Sequence, residues 1–150
     1  MLKNKFGFDE AINYKTTADM KAAIAAACPN GVDIYFDNVG GETLEAALAT
    51  MRLHGRIIAC GGISSYNEEK PRPGPCNLFN VVTKRLTMKG LMVLDWLDRQ
   101  AEFEKEVGGY FQAGKVKHKE TVVPGIDNAV GAFLGLFQGQ NVGKMVVKLA

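Results

Sequence analysis

Long apolar runs and any marked excess of one charge are missing from this 150-residue sequence. No apolar stretch approaches the roughly 18 residues that a membrane-spanning helix needs. The basic start, Met1–Gly7, is not followed by the apolar segment of a signal peptide. Lys and Arg total 18 against 16 Asp and Glu, a balance that argues against nucleic acid or an anionic membrane surface as a partner. These absences predict a globular protein of the cytoplasm.

Cysteine is scarce, and its spacing excludes two common uses. The three cysteines, Cys28, Cys60 and Cys76, are odd in number and far apart, whereas a disulfide framework uses an even set in a shorter secreted chain. Structural zinc is bound by closely spaced Cys and His, and neither His54 nor His118 has a cysteine two to four residues away. The sequence therefore predicts reduced thiols and no metal site.

The common nucleotide and hydrolase motifs are also absent. No G-x-G-x-x-G opens a helix after a strand, no G-x-x-x-x-G-K-[ST] occurs, and no G-x-S-x-G elbow is present. Glycine itself is abundant, with 17 residues in 150. Against a usual share of about 7%, this excess indicates tight turns or close backbone approach.

Apolar periodicity predicts strands that alternate with helices along the chain. The predicted strands cover residues 11–14, 32–37, 56–60, 86–94, 119–123 and 145–149. The predicted helices cover residues 17–28, a segment through Leu44 and Met51 that ends at Gly55, residues 77–84, Asp95–Gly114 and residues 126–137, with a proline-rich loop over 64–75. This order predicts an α/β fold in which helices cover both faces of a parallel sheet.

Three predicted strands end in segments suited to ligand binding. They are Asp37–Gly41, Cys60–Ser64 and Leu91–Val93. In open α/β sheets, ligands bind beyond the carboxyl ends of the strands. The pairs Gly40–Gly41 and Gly61–Gly62 would let a flat or phosphorylated ligand approach the backbone, because no Cβ intervenes. The alternative is that each pair only turns a strand into a helix.

Several motifs together resemble one enzyme family. They are Gly7-Phe8-Asp9, Asn13-Tyr14-Lys15-Thr16, Asp37-Asn38-Val39-Gly40-Gly41, Cys60-Gly61-Gly62-Ile63-Ser64-Ser65-Tyr66-Asn67 and Asn141-Val142-Gly143-Lys144. With them the chain resembles the zinc-independent medium-chain reductases, and within these the NADPH-dependent alkenal/one reductases, which include prostaglandin and curcumin reductases. The resemblance covers the C-terminal part of such an enzyme.

The resemblance implies an incomplete Rossmann-type, doubly wound parallel sheet followed by a segment of the catalytic, GroES-like domain. Residues 1–118 would belong to the NADP-binding domain and residues 119–150 would return to the catalytic domain. The first strand, its phosphate loop and the main body of the catalytic domain would precede Met1. The resemblance also implies a homodimer or larger assembly, formed through residues 86–93.

The implied reaction reduces a carbon–carbon double bond conjugated to a carbonyl, in a small enone or enal. Hydride passes from NADPH to the β-carbon, and a proton reaches the α-carbon. We expect the isolated chain to bind NADPH weakly and to reduce enones poorly or not at all. The alternative function is a non-catalytic nucleotide-binding or assembly unit.

The resemblance also implies site residues. Tyr66 lies where the family has a tyrosine near the nicotinamide ribose and the substrate, and it is the candidate catalytic residue. Tyr14 matches the position that contacts the 2′-phosphate of NADP, although an ordinary strand-end aromatic is an equal alternative without the family context. The implied cofactor-binding residues are Tyr14, Asn38, Cys60, Gly61, Gly62, Ile63, Ser64, Ser65, Tyr66, Leu91, Met92, Val93 and Asn141.

Overall fold

The structure is a computed structural model that describes residues 1–70 and 73–149. Pro71 and Arg72 of the predicted proline-rich loop lie outside the described residues. The strands are β1 (Val32–Asp37), β2 (Met51–Ala59), β3 (Thr87–Gly90), β4 (Glu120–Pro124) and β5 (Lys144–Lys148). The α-helices are α1 (Met20–Ala27), α2 (Gly41–Thr50), α3 (Asn80–Thr83), α4 (Gln100–Gln112) and α5 (Ala129–Phe137).

The chain forms two compact units, Met1–Leu97 and a second from Asp98 onward. The first unit holds a parallel sheet in the order β1-β2-β3, with α2 connecting β1 to β2. In the second unit β4 and β5 are parallel and α5 connects them. Parallel neighbours need such crossover connections, and the predicted parallel α/β fold is confirmed. The predicted domain division after residue 118 stays a prediction.

Helix α2 packs on one face of the sheet in the first unit. Its Leu44 and Leu48 form a buried cluster with Met51, Ile57 and Leu86. Side chains alternate between the two faces of a strand, so burying Ile57 against α2 directs its neighbours to the opposite face.

The opposite face of this sheet is open. Ile34 and Phe36 of β1 are each 54% exposed. They pair in register with Arg56 and Ile58 of β2, so all four side chains share one face. Within the described residues of this unit, the predicted cover on both faces is therefore not observed.

The predicted end of α2 at Gly55 was wrong. The helix ends at Thr50, where the Lys84 ammonium donates to the carbonyl oxygens of Leu48 and Ala49 at 3.2 and 2.6 Å. These carbonyls belong to the last turn, which lacks partners within the helix, so a distant lysine fixes the end. Residues 51–55 belong to β2 instead.

The left-handed residue in this part of β2 is not a glycine. His54 has φ 62°, while Gly55 does not have positive φ. Packing favours glycine at position 55, since a Cβ there would lie 2.6 Å from the Met51 Cε, 3.1 Å from the Arg52 carbonyl oxygen and 3.3 Å from that of Asp33.

The predicted strand over residues 11–14 was also wrong. The Asn13 side-chain oxygen accepts a hydrogen bond from the Lys15 N–H at 3.1 Å. The Asn13 backbone carbonyl oxygen accepts hydrogen bonds from the Thr16 N–H at 3.1 Å and from the Thr17 hydroxyl at 2.8 Å. Such local bonds compete with strand pairing. Tyr14 consequently lies in a turn and is 68% exposed.

Two further predicted boundaries were wrong. Strand β3 ends at Gly90, and a 3-10 helix occupies Val93–Arg99. Helix α4 therefore begins at Gln100 and not at Asp95. Within residues 1–70 and 73–149, none of the helices has the length and apolar character that crossing a membrane requires.

Candidate functional site

The carboxyl end of β1 is organised by a buried carboxylate. Asp37 is 2% exposed, and its Oδ1 accepts hydrogen bonds from the Val39 and Gly40 N–H groups at 3.0 and 2.9 Å. The Tyr35 hydroxyl donates to the same oxygen at 2.9 Å. Burial, together with this hydrogen bond to a carboxylate, raises the pKa of Tyr35 well above its ordinary value. The tyrosine therefore stays a donor at physiological pH.

The turn that follows β2 is bonded to the turn that follows β1. The Cys60 and Gly61 N–H groups donate to the Asp37 carbonyl oxygen at 2.8 and 3.1 Å. The Ile63 N–H donates to the Asn38 carbonyl oxygen at 3.1 Å. Because these groups bond to each other, the two turns at this edge form a single hydrogen-bonded structure.

The glycines allow these turns to approach each other closely. A Cβ on Gly41 would lie 2.9 Å from the Ser64 hydroxyl oxygen, and a Cβ on Gly40 would lie 3.5 Å from the Gly62 Cα. The Ser64 hydroxyl itself donates to the Val39 carbonyl oxygen at 2.6 Å. Much of the space left by Gly40 and Gly41 is therefore occupied by the neighbouring turn.

Tyr66 returns to this edge after the 3-10 turn of Ile63–Ser65. Its hydroxyl oxygen accepts a hydrogen bond from the Gly62 N–H at 3.2 Å, and the residue is 64% exposed. A Cβ on Gly61 would lie 3.2 Å from this hydroxyl oxygen. Since the oxygen is the acceptor, the hydroxyl proton can still be donated to a ligand.

The chain after β3 reaches the same edge. Ala59 pairs with Gly90, and the Leu91 N–H donates to the Ala59 carbonyl oxygen at 2.9 Å. Met92 and Val93 follow and are 58% and 65% exposed. Three adjacent parallel strands thus deliver exposed groups to one edge, which is where open α/β sheets bind ligands.

Comparison with known proteins assigns the chain to a family. A sequence profile of zinc-binding dehydrogenases matches residues 1–108. The chain belongs to this family. It is 47% identical over 150 residues to a 2-alkenal reductase (NADP(+)-dependent) of Nicotiana tabacum, covering 100% of this chain and 43% of that protein. It is 43% identical over 150 residues to (+)-pulegone reductase of Mentha piperita, covering 100% of this chain and 44% of that protein.

A solved family structure has the same fold. CurA from Vibrio vulnificus in complex with NADPH superimposes with a TM-score of 0.89 at 37% identity, covering 99% of this chain and 45% of CurA. The chain thus spans less than half the length of these relatives. The resemblance predicted from the motifs is confirmed.

The predicted site residues of this family member fall into two groups. Those gathered at the edge of the first unit are Asn38, Cys60, Gly61, Gly62, Ile63, Ser64, Ser65, Tyr66, Leu91, Met92 and Val93. Asn38 is exposed, and its side chain makes no hydrogen bond within the described residues. Tyr14 lies in the turn after residue 13, and Asn141 lies in the second unit, where its amide donates to the Gly143 carbonyl oxygen at 2.6 Å.

The metal in the family's name has no ligand set in the described part of this chain. No three His, Cys, Asp or Glu side chains come together there. A zinc site needs three or four such ligands around one point. The described residues do not fit zinc.

Sequence reasoning did not identify Tyr35 as part of the site, and it named Asp37 only as the first residue of the strand end Asp37–Gly41. The signal for Asp37 is an ionisable residue at the end of the strand Val32–Asp37, directly after the aromatic residues Tyr35 and Phe36. A buried carboxylate has to be hydrogen-bonded, so its partners could have been sought in the adjacent turn.

A second hydrogen-bonded group lies on α2. The Glu45 carboxylate accepts from the Cys76 N–H at 3.1 Å and from the Cys76 thiol at 2.9 Å. The amide of Asn77 donates to the Glu45 carbonyl oxygen at 2.8 Å. The carboxylate raises the pKa of Cys76 and the thiol lowers that of Glu45, so Cys76 is held as a neutral thiol. This group fixes the chain downstream of the proline-rich loop.

Proposed function

We propose that this chain forms part of the NADP(H) site of an oxidoreductase that reduces the carbon–carbon double bond of α,β-unsaturated ketones or aldehydes. The observation that carries the proposal is the edge of the sheet, where the Asn38 amide and the Tyr66 hydroxyl stand on two turns bonded to each other. Whole-chain similarity to a 2-alkenal reductase and to CurA, solved with NADPH, supports the same function.

The groups at this edge fit a nicotinamide cofactor. The Asn38 amide offers both a donor and an acceptor, and the Tyr66 hydroxyl offers a donor. We propose that residues 60–66 and 91–93 line the cofactor beside Asn38 and that Tyr14 contacts its 2′-phosphate. A role for Asn141 in cofactor binding stays a prediction from the family resemblance.

When NADPH is bound, the cofactor supplies the hydride for the β-carbon of the substrate. The protein orients the reactants and polarises the carbonyl. We propose Tyr66 for the second task, because the Gly62 N–H already occupies an acceptor position of its oxygen and its proton remains to be donated. A hydrogen bond to the carbonyl oxygen stabilises the negative charge that develops there during hydride transfer.

The test is NADPH titration of the purified chain, followed by the fluorescence of the reduced nicotinamide. Replacing Asn38 with Ala should weaken binding about tenfold, as expected for the loss of one or two hydrogen bonds. Replacing Asn128 with Ala is the matched control, since the Asn128 amide donates to the Pro124 carbonyl oxygen in the second unit. Equal binding by both variants, or no NADPH binding by the unsubstituted chain, would contradict the proposal.

The alternative function is a nucleotide-binding or assembly unit without turnover. The chain spans 43% of the 2-alkenal reductase, so activity of the whole enzyme has to be tested separately from binding by this chain. An enone added with NADPH tests the alternative through the absorbance of the reduced nicotinamide. Robust oxidation by the chain refutes it, whereas binding without oxidation is expected of this chain under both functions.

We also propose that the chain self-associates through β3. This strand pairs only with β2 among the described residues, and all four of its residues are exposed. Unpaired strand edges are templates for pairing with another chain. The cytoplasmic location remains a prediction to be checked by cell fractionation.

A further inference from the structure

Asp37 is bonded to both turns of the candidate site at once. Its carboxylate accepts from the Val39 and Gly40 N–H groups of the first turn. Its carbonyl oxygen accepts from the Cys60 and Gly61 N–H groups of the second turn. The residue therefore joins, through side chain and main chain, the two segments that present Asn38 and the backbone of residues 60–62.

The carboxylate is held in place by more than these turns. At 2% exposure it has lost most of its hydration, and a buried carboxylate is stable only when hydrogen bonds replace water. The Tyr35 hydroxyl supplies a third donor to Oδ1 at 2.9 Å. Tyr35 is part-buried and packs against the core formed with α2. Its hydrogen bond therefore connects the turn that follows Asp37 to the buried core of the unit.

From this geometry we infer that Asp37 is a positioning residue for the cofactor edge. It fixes the Asn38–Gly41 turn through its carboxylate and so sets where the Asn38 amide stands relative to residues 60–62. The inference rests on the proposed function for its effect on NADPH, but the bonds it concerns belong to the chain alone.

The decisive variant is Asp37→Asn in the whole 150-residue chain. The amide keeps the shape of the side chain but loses its charge, and hydrogen bonds to a charged acceptor are about twice as strong as neutral ones. The matched control is Asp33→Asn on the same strand, where the carboxylate is exposed and pairs with Arg52 at 3.0 Å. Both variants lose one negative charge from β1.

The first readout is amide hydrogen exchange, which needs no cofactor. In Asp37→Asn we expect the Val39 and Gly40 amides to exchange about tenfold faster, while Ile57 in the middle of β2 is unchanged. In Asp33→Asn neither turn amide should change. Unchanged exchange at Val39 and Gly40 in Asp37→Asn would overturn the inference, whether or not the chain binds NADPH.

The second readout is NADPH affinity, measured well below the melting temperature so that every variant is fully folded. A positioning role predicts an NADPH Kd raised about tenfold in Asp37→Asn and unchanged in Asp33→Asn. A merely structural role predicts a lower melting temperature with an unchanged Kd, which would overturn the inference. Absence of binding by the unsubstituted chain would instead contradict the proposed function, with exchange still deciding the role of Asp37.

Should Asp37→Asn fail to fold, Tyr35→Phe replaces it. That change removes one donor and leaves both backbone N–H groups on the carboxylate. We expect a smaller acceleration of exchange at Val39 and Gly40, about threefold. No change at either amide would overturn the inference in this variant as well.

Discussion

At the scale of single residues, Gly41 and Ser64 set how closely the two turns of the site can approach. Gly41 has φ 54°, a backbone conformation that residues with a Cβ rarely adopt. The Ser64 hydroxyl oxygen lies 2.9 Å from the position of the missing Cβ. Position 41 thus carries a conformational and a steric requirement for glycine.

We expect Gly41→Ala to lower the free energy of unfolding by about 1–2 kcal/mol from the left-handed backbone alone, and by more if Ser64 cannot move. Urea unfolding measures the change. Gly90→Ala is the control, because Gly90 has no atom within 4 Å of a new Cβ and its φ is not positive. Adding Ser64→Ala to Gly41→Ala should restore only the part of the lost stability that is due to the contact with the Ser64 hydroxyl. Equal stability of Gly41→Ala and Gly90→Ala would contradict the requirement for glycine at position 41.

At the scale of elements, the end of α2 depends on a residue far along the chain. The Lys84 ammonium donates hydrogen bonds to the last carbonyl oxygens of the helix. Burial lowers the pKa of this lysine. Ammonium groups near a helix C-terminus also interact favourably with the helix dipole. Lys84 therefore acts as the C-terminal cap of α2.

We expect Lys84→Met to lower the free energy of unfolding by about 1–2 kcal/mol, since two hydrogen bonds are lost while the apolar stem is kept. Thermal unfolding monitored by circular dichroism provides the measurement. Lys105→Met at an exposed position of α4 serves as the control and should be nearly neutral. A Lys84 variant as stable as this control would show that the cap contributes nothing.

Local patterns predicted the elements whose causes are local. The β-branched and aromatic run of β1 and the helical spacing of α1 were identified correctly. The strand over 11–14 was wrong because the Asn13 side chain bonds the next turn. The end of α2 was wrong because Lys84 lies more than thirty residues away.

The candidate site was predictable to the same extent. The strand ends and glycine pairs pointed to the edge of the sheet where the structure brings together most of the predicted site residues. The link from Asp37 to the second turn could not be predicted, because the Cys60 and Gly61 N–H groups meet its carbonyl oxygen only after the strands pair. The same holds for the hydrogen bonds between Glu45 and Cys76.

At the scale of the whole molecule, the open edge at β3 leads to a prediction about assembly. Light scattering should give the mass of a dimer or a larger species. Thr87→Lys should shift the mass towards the monomer, since lysine on an edge strand opposes pairing. Thr83→Lys on α3, off the edge, should leave it unchanged, and a monomeric unsubstituted chain would contradict the proposed association.

The exposed pair Ile34 and Phe36 has a thermodynamic consequence for any such association. Removing apolar surface from water lowers the heat capacity, whereas joining two strand edges acts mainly through backbone hydrogen bonds. The heat of dilution, measured by calorimetry at several temperatures, would therefore distinguish covering of this apolar face from pairing at the edge of β3. A strongly temperature-dependent heat indicates that apolar surface such as the face of Ile34 and Phe36 becomes covered, and a nearly constant heat indicates pairing at the β3 edge.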